Sequence, residues 1–273
     1  MAPTDLIRAA QSGDQEAFAE LVRPLERPLK SYLYRLSASP DDVGDLYQDT
    51  LLKAFEHLST FRAESSFKTW LFAIASNTAT DYLRGKKRWA AEAQDRRRAS
   101  ALSDAVFRPT VQELVTSTPQ AQYEIREHID FCFTCIAKTL PQDQQMALLL
   151  RDVYDFSNEE GARVLGKSVP VFKHLVHEAR QTMIRLFEGR CALINKQGVC
   201  YQCSELSDRL RGTEETQRQM DSLKLKPRDS AEARAKTFDL RLRLIKVIDP
   251  LNANGTNFHH FLTRYLRTAN EYD

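Results

Sequence analysis

An all-α protein, built of two small helical domains joined by a flexible linker and followed by a C-terminal extension, is the fold this sequence predicts. Three observations carry the expectation. Apolar residues recur at helical spacing along almost the whole chain. Only 9 of the 273 residues are glycine, and a composition of 42% apolar and 28% charged residues suits packed helices, where a sandwich or barrel would need more turn residues. A chain of this length can bury more than one core. No internal repeat is visible.

The formal net charge is only +2, so nucleic-acid binding has to come from local basic patches set against acidic surfaces elsewhere. No stretch approaches the ~20 apolar residues of a membrane span, and Met1 to Asp14 lacks the basic-then-apolar layout of a secretory signal. A cytoplasmic protein without a membrane span is expected. Five cysteines, an odd number, point away from a disulfide framework and toward thiols, metal ligands or a redox switch.

The first domain is expected over residues 1–89. Ala17, Leu21, Leu25, Leu29 and Leu33 keep helical spacing, with Pro24 and Pro28 as kinks or short breaks. Val43, Tyr47, Leu51, Phe55 and Leu58 mark the next helix, preceded by Pro40. Its Asp45, Gln48 and Asp49 fall together off the apolar stripe, a pattern that suits a basic protein surface. Trp70, Ile74 and Tyr82, with Leu71 and Leu83, mark a further helix, which runs directly into Arg84-Gly-Lys-Lys-Arg88. Seven basic residues against two acidic ones lie between Arg84 and Arg98, a cluster that neutralises phosphates, while Trp70 and Asn77 offer a stacking ring and a base-edge amide. The competing reading is plainer: a charge run is usually a solvated face, and a helical Trp is usually core.

Residues 90–122, rich in Arg, Ala, Ser and Thr and without a clean apolar stripe, read as the linker. The second domain is expected over 123–190. Ser157 followed by Glu160 forms a capping box, so a short helix should run from Asn158 to Leu165 and stop at Gly166. After a tight turn, Ser168 caps a longer helix that tolerates Pro170 in its first turn, buries Phe172, Val176, Ala179, Met183 and Phe187, and ends at Gly189. Helix, short turn and longer helix make a helix-turn-helix. Lys173, His174, His177, Arg180 and Gln181 fall off the apolar face, where they can reach bases and phosphates. A helical hairpin with a merely solvated face fits the same pattern.

Residues 191–204 bring Cys191, Cys200 and Cys203 close together, with Cys-x-x-Cys beside a turn at Gly198, the spacing of a zinc half-site. Cys135, Cys132 or His177 would supply a fourth ligand, although Cys132 and Cys135 also fit a helix core. A disulfide switch is the alternative to zinc. In the extension, 205–273, Ala231 to Ile248 and Asn257 to Arg267 read as amphipathic helices separated by Pro250 and Gly255. Phe238, Leu242, Ile245, Phe261, Tyr265 and Leu266 give them apolar faces that must dock, either to complete the second core or to occlude a binding face.

Two stretches, DDVGDLYQDTLLKAFEHLSTF with FRAESSFKTWLFAIASNTATDYLRGKKR, and LPQDQQMALLLRDVYDFSNEEGARVLGKSVPVFKHLVHEARQTM, resemble regions two and four of the extracytoplasmic-function sigma factors. The resemblance implies a transcription initiation factor with no catalytic residues, whose partners are core RNA polymerase, promoter DNA and in some cases an anti-sigma factor. By that likeness Asp45, Gln48 and Asp49 dock on the polymerase β′ clamp helices, and the loop Phe61 to Lys68 captures an unstacked −10 base. Asn77, Asp81, Arg84, Lys87 and Arg88, with Trp70, would grip the −10 region, the linker would thread toward the active-site channel, and Lys173, His174, His177 and Arg180 would read the −35 element. Some members carry cysteine-containing tails that sense metal or oxidation. The sequence departs from the pattern at Gly161, where an aliphatic residue is usual, and at His174 and His177, where small or basic residues are common. Gly161 should cost its helix about 1 kcal/mol relative to Ala, or else permit close packing.

Two other classes compete. A stand-alone repressor needs a dimer interface, and no apolar heptad supplies one. A thiol oxidoreductase needs Cys-x-x-Cys at a helix N-terminus after a strand, whereas Cys132 and Cys135 lie inside a helix.

Overall fold

The computed structural model describes residues 3–86, 89, 125–190 and 231–252. Among these residues every regular element is helical, so the protein is all-α as expected. The chain divides into two compact units, Met1–Lys86 with Gln142–Val176, and Lys87–Pro141 with His177–Asp273.

In the first unit, α1 (Pro3–Gln11) and α2 (Gln15–Val22) meet at Asp14, whose carboxylate accepts from the amides of Glu16 and Ala17 at 2.9 and 3.0 Å. Cap and dipole act together there. The stripe from Ala17 to Leu33 is broken at Pro24, which sits in a 3-10 turn over Arg23–Leu25 before α3 (Glu26–Ser37). Proline donates no backbone N–H, so the break costs little at a helix start. α4 (Pro40–His57) follows, then a 3-10 turn (Leu58–Thr60) and α5 (Phe67–Leu83), capped by Ser66 through the Thr69 amide at 3.0 Å. Leu29, Tyr32, Leu33 and Leu36 of α3, Thr50 and Ala54 of α4, and Leu71, Phe72 and Ala75 of α5 form the buried centre.

Two expected stripes are rotated. In α4 the buried residues are Val43, Leu46, Thr50 and Ala54, while Tyr47, Leu51 and Phe55 are half-buried. Thr50 hides its hydroxyl by donating to the Leu46 carbonyl at 2.7 Å, and its small size and that of Ala54 let neighbouring helices approach. In α5, Phe72, Ala75 and Ala79 are buried with Leu71 and Leu83, whereas Trp70, Ile74 and Tyr82 stand at the edge.

The same unit contains α7 (Gln142–Leu148), a π-turn (Leu149–Val153), α8 (Asn158–Val164) and the start of α9 (Val169–Arg190). The second unit contains α6 (Ile125–Ala137), the rest of α9, and α10 (Ala231–Lys246), which packs on α6. Buried in this unit are Phe131, Phe133 and Ile136 of α6, Ala179, Met183 and Phe187 of α9, and Phe238, Leu242 and Ile245 of α10. The apolar face of the first extension helix therefore completes this core. Gly189 does not end α9, which continues to Arg190. One glycine costs a helix only about 1 kcal/mol, and Phe187 anchors the last turn against Phe238, with ring centroids 6.2 Å apart.

The linker 90–122, Lys87, Arg88, the segment 191–204 and the helix expected over 257–267 lie outside the described residues.

Candidate nucleic-acid interface

The α4 face comes first in the chain. Asp45, Gln48 and Asp49 are all exposed, and at helical spacing they surround Leu52, which is 62% exposed. Beside them Gln15, Phe18, Gln48, Leu51, Leu52 and Phe55 line a cavity of about 410 Å³. The face is therefore a mixture, acids beside an apolar groove. Sequence reasoning found the acids and missed Leu52 and the Phe18 wall, because Leu52 has no place in a stripe and Phe18 comes from another helix. At the opposite edge Tyr47 lies under the Lys30 ammonium, 4.6 Å from the ring centre, and burial, with Glu26 nearby, pushes its phenol up to about 12.

On α5, Trp70, Asn77, Asp81 and Arg84 share one face. Asn77, Asp81 and Arg84 are exposed, and Arg84 pairs with Asp81 at 3.1 Å, too exposed a pair to add much stability. Trp70 is half-buried rather than open: its ring centroid lies 5.3 Å from Phe61 and 5.6 Å from Phe67. This aromatic cluster holds the root of the loop that leads into α5. Trp70 thus has one edge packed on these rings and one on the polar face.

The loop itself is held by the segment around α8. Lys68 donates to the Tyr154 carbonyl at 3.0 Å and lies 4.3 Å from the centre of the Phe156 ring, and Arg163 donates to the Glu64 carbonyl at 3.0 Å. Beneath them Tyr154 bonds through its hydroxyl to Ser31 and Arg35, each at 2.9 Å, and its ring meets Tyr32 edge-on at 5.4 Å. Phe156 packs on Phe72 at 5.0 Å, and Gln145 donates to the Arg35 carbonyl at 2.8 Å. Burial raises the Tyr32 phenol well above its ordinary value, against the lowering effect of its bond to Ser76, so it stays a neutral core group.

The helix-turn-helix has the geometry its sequence implies. Ser157 accepts from the Glu160 amide at 3.1 Å and Glu160 accepts from the Ser157 amide at 2.9 Å, completing the capping box. The backbone bond to Ser157, outweighing partial burial, holds the Glu160 carboxyl below the usual range. Gly166 ends the element at φ +60. Gly161 is the departure that matters: a Cβ there would lie 2.2 Å from the Phe172 ring, so its absence admits the first aromatic anchor of α9. Of the two consequences expected for Gly161, close packing is the one the geometry supports.

Along α9, Phe172, Val176, Ala179, Met183 and Phe187 are buried and Lys173, His174, His177 and Gln181 are exposed. Arg180 differs. It is half-buried, pairs with Asp239 of α10, and lies 5.6 Å from the Phe238 ring centre. Arg180 stands at the border of the apolar face, so a helix packed on that face captures it; nothing in α9 alone signals this.

Cys132 and Cys135 are both buried in α6, Cys135 at 1% exposure, the placing of core thiols. Cys191, Cys200 and Cys203 lie outside the described residues, and no cluster of metal-ligating side chains occurs among the described ones. No described helix is long and apolar enough to cross a membrane.

Residues 21–89 match the family Sigma-70 region 2, and residues 131–183 match Sigma-70, region 4. The ECF RNA polymerase sigma-E factor of Escherichia coli (strain K12) is 32% identical over 182 residues, covering 65% of this chain and 90% of the relative, and that of Salmonella typhimurium (strain LT2) matches to the same extent. The ECF RNA polymerase sigma factor SigG of Mycobacterium tuberculosis is 33% identical over 180 residues, 63% of this chain and 48% of that protein. Among solved structures, CnrH in complex with the cytosolic domain of CnrY has a TM-score of 0.48 at 23% identity, covering 69% of this chain and 98% of that one. The sigma factor RpoE in complex with the anti-sigma factor NepR from Bartonella quintana has a TM-score of 0.45 at 26% identity, covering 63% and 96%.

Proposed function

The chain belongs to the extracytoplasmic-function sigma factors, and from that premise we propose that it docks on core RNA polymerase through α4 and guides the enzyme to promoters through α5 and α9. The observation that carries this assignment of faces is their chemistry within one chain: an acidic and apolar face on α4, and a helix-turn-helix whose second helix exposes Lys173, His174 and His177. Asp45, Gln48 and Asp49 steer and orient a basic partner, and Leu52 with the groove beside it supplies the apolar contact.

Asn77, Asp81 and Arg84, joined by Lys87 and Arg88, hold the −10 duplex and its phosphates; the loop Phe61 to Lys68 receives an unstacked base against the Trp70 cluster. No residue makes or breaks a bond. Binding energy alone shifts the DNA toward the melted state, in the cytoplasm, with an anti-sigma factor as a further partner. In the first unit the loop and the helix-turn-helix hold each other through Lys68, Tyr154, Arg163 and Glu64. Engaging two separated promoter elements parts these contacts, so this closed form is a resting one that core polymerase opens.

For the tail cysteines the proposal is structural or sensory zinc on Cys191, Cys200 and Cys203, with Cys135 or His177 as fourth ligand. Zinc would supply a cross-link between the end of α9 and the extension. About one equivalent of metal in protein purified under reducing conditions supports this. Absent metal, with a disulfide forming under peroxide, replaces it by a redox switch.

The decisive experiment is run-off transcription by core polymerase on sheared genomic DNA, with and without the full chain. Discrete new transcripts are expected. Unchanged transcription sinks the reading.

A further inference from the structure

Asp239 lies on the extension helix α10, beyond the residues that match either family segment. We propose that Asp239 is a positioning residue for DNA binding, which by pairing with Arg180 holds one cation of the recognition helix off the phosphate backbone. The proposal rests on α9 being that helix.

At 100° per residue, Lys173, His177 and Arg180 form one stripe, and Arg180 is its member nearest the buried side, adjacent to Phe187. α10 packs along that border. Phe238 meets Phe187, Arg241 stacks 4.3 Å from the Phe187 ring centre, and Arg234 pairs with Glu188 at 3.0 Å. Arg180 is thereby drawn across the Phe238 ring onto the Asp239 carboxylate, while Lys173, His174, His177 and Gln181 remain exposed. An arginine offered to DNA would be expected to lie with them.

The clamp is releasable. The paired side chains keep 28% and 46% of their exposure, so water and salt screen the attraction. α10 is anchored independently by Phe238, Leu242 and Ile245, all buried. Neutralising Asp239 should therefore let Arg180 turn to a phosphate without the helix undocking, whereas in the native chain the pair withholds it from the duplex.

The test uses the full chain with core polymerase and, as probe, a promoter fragment recovered by run-off transcription, with affinity measured across salt. Each phosphate contact contributes about 0.9 to the slope of log affinity against log salt. Asp239→Asn should steepen the slope by about that amount, so a fourfold drop in salt should strengthen its binding about 3.5-fold more than that of the native chain. Asp239→Glu should keep the native slope. Adding Arg180→Ala to Asp239→Asn should remove the increment, which a general loosening of the unit would not do. Asp239→Ser is a second neutral variant should the amide perturb folding. An unchanged or shallower slope in both neutral variants overturns the proposal while leaving α9 as the recognition helix. Failure of the native chain to form promoter complexes at all overturns the reading beneath it, and this inference with it.

Discussion

The Arg35 guanidinium donates to the Tyr154 hydroxyl at 2.9 Å, joining α3 to the segment before the helix-turn-helix across 119 residues of sequence. The same hydroxyl meets Ser31. Arg35 is itself buried, so its polar partners there are not readily replaced by water. Tyr154→Phe removes one partner each from Arg35 and Ser31, which still bond each other, and should destabilise the first unit by about 1 kcal/mol, the net worth of an ordinary hydrogen bond. Urea unfolding of the full chain checks this; an unchanged midpoint would show that the hydroxyl contributes nothing to closure.

Gly161 poses a contest between two effects of known size. Alanine is favoured over glycine in a helix by about 1 kcal/mol. Its methyl, however, would press into the Phe172 ring at 2.2 Å, and overpacking of this kind costs about 1–3 kcal/mol. Gly161→Ala should therefore lower the melting temperature, and Phe172→Leu should be less harmful in that background than in the native chain. A stabilised Gly161→Ala protein would contradict the packing.

The Glu160 carboxyl is held below its ordinary value of 4.5, chiefly by the Ser157 amide. A carboxylate whose folded pKa is depressed contributes stability that is present in full above its unfolded value and lost as pH falls through its folded value. The native chain should accordingly lose stability below about pH 4.5 more steeply than Glu160→Gln. Ser157→Ala, which removes the other half of the box, should cost about 1 kcal/mol at neutral pH. Parallel stability curves for Glu160→Gln and the native chain would contradict the assignment.

What the sequence disclosed, and what it withheld, follows from how local each signal is. Ser157, Glu160 and Gly166 set one helix through contacts within a few residues, and all three behave as their types imply. The α9 stripe was equally legible, since Phe172, Val176, Ala179, Met183 and Phe187 keep helical spacing and Phe172, Met183 and Phe187 are large. Small or polar core residues defeat that approach: Thr50 and Ala54 are buried where Leu51 and Phe55 draw the eye. Partners distant in sequence are a second blind spot. The capture of Arg180 by Asp239, and of Lys68 by Tyr154, depends on which helices meet, and no periodicity encodes that.

The α4 face allows its charged and apolar parts to be separated experimentally. Asp45 and Asp49 are exposed and act on a partner mainly by long-range attraction, which governs association rate and salt dependence. Leu52, 62% exposed beside the groove formed with Phe18 and Phe55, has no role in the core. Its replacement should change stability by no more than about 0.5 kcal/mol. If both parts face polymerase, Asp45→Lys with Asp49→Lys should abolish co-purification with core enzyme while leaving helix content intact. Leu52→Ala should instead shorten the life of the complex, at a cost above about 1 kcal/mol in binding, the mark of a central apolar contact. Surface plasmon resonance on immobilised core polymerase resolves the two: the acidic pair should move the association rate, and Leu52 the dissociation rate. Native binding by all three variants would place the docking surface elsewhere on the chain.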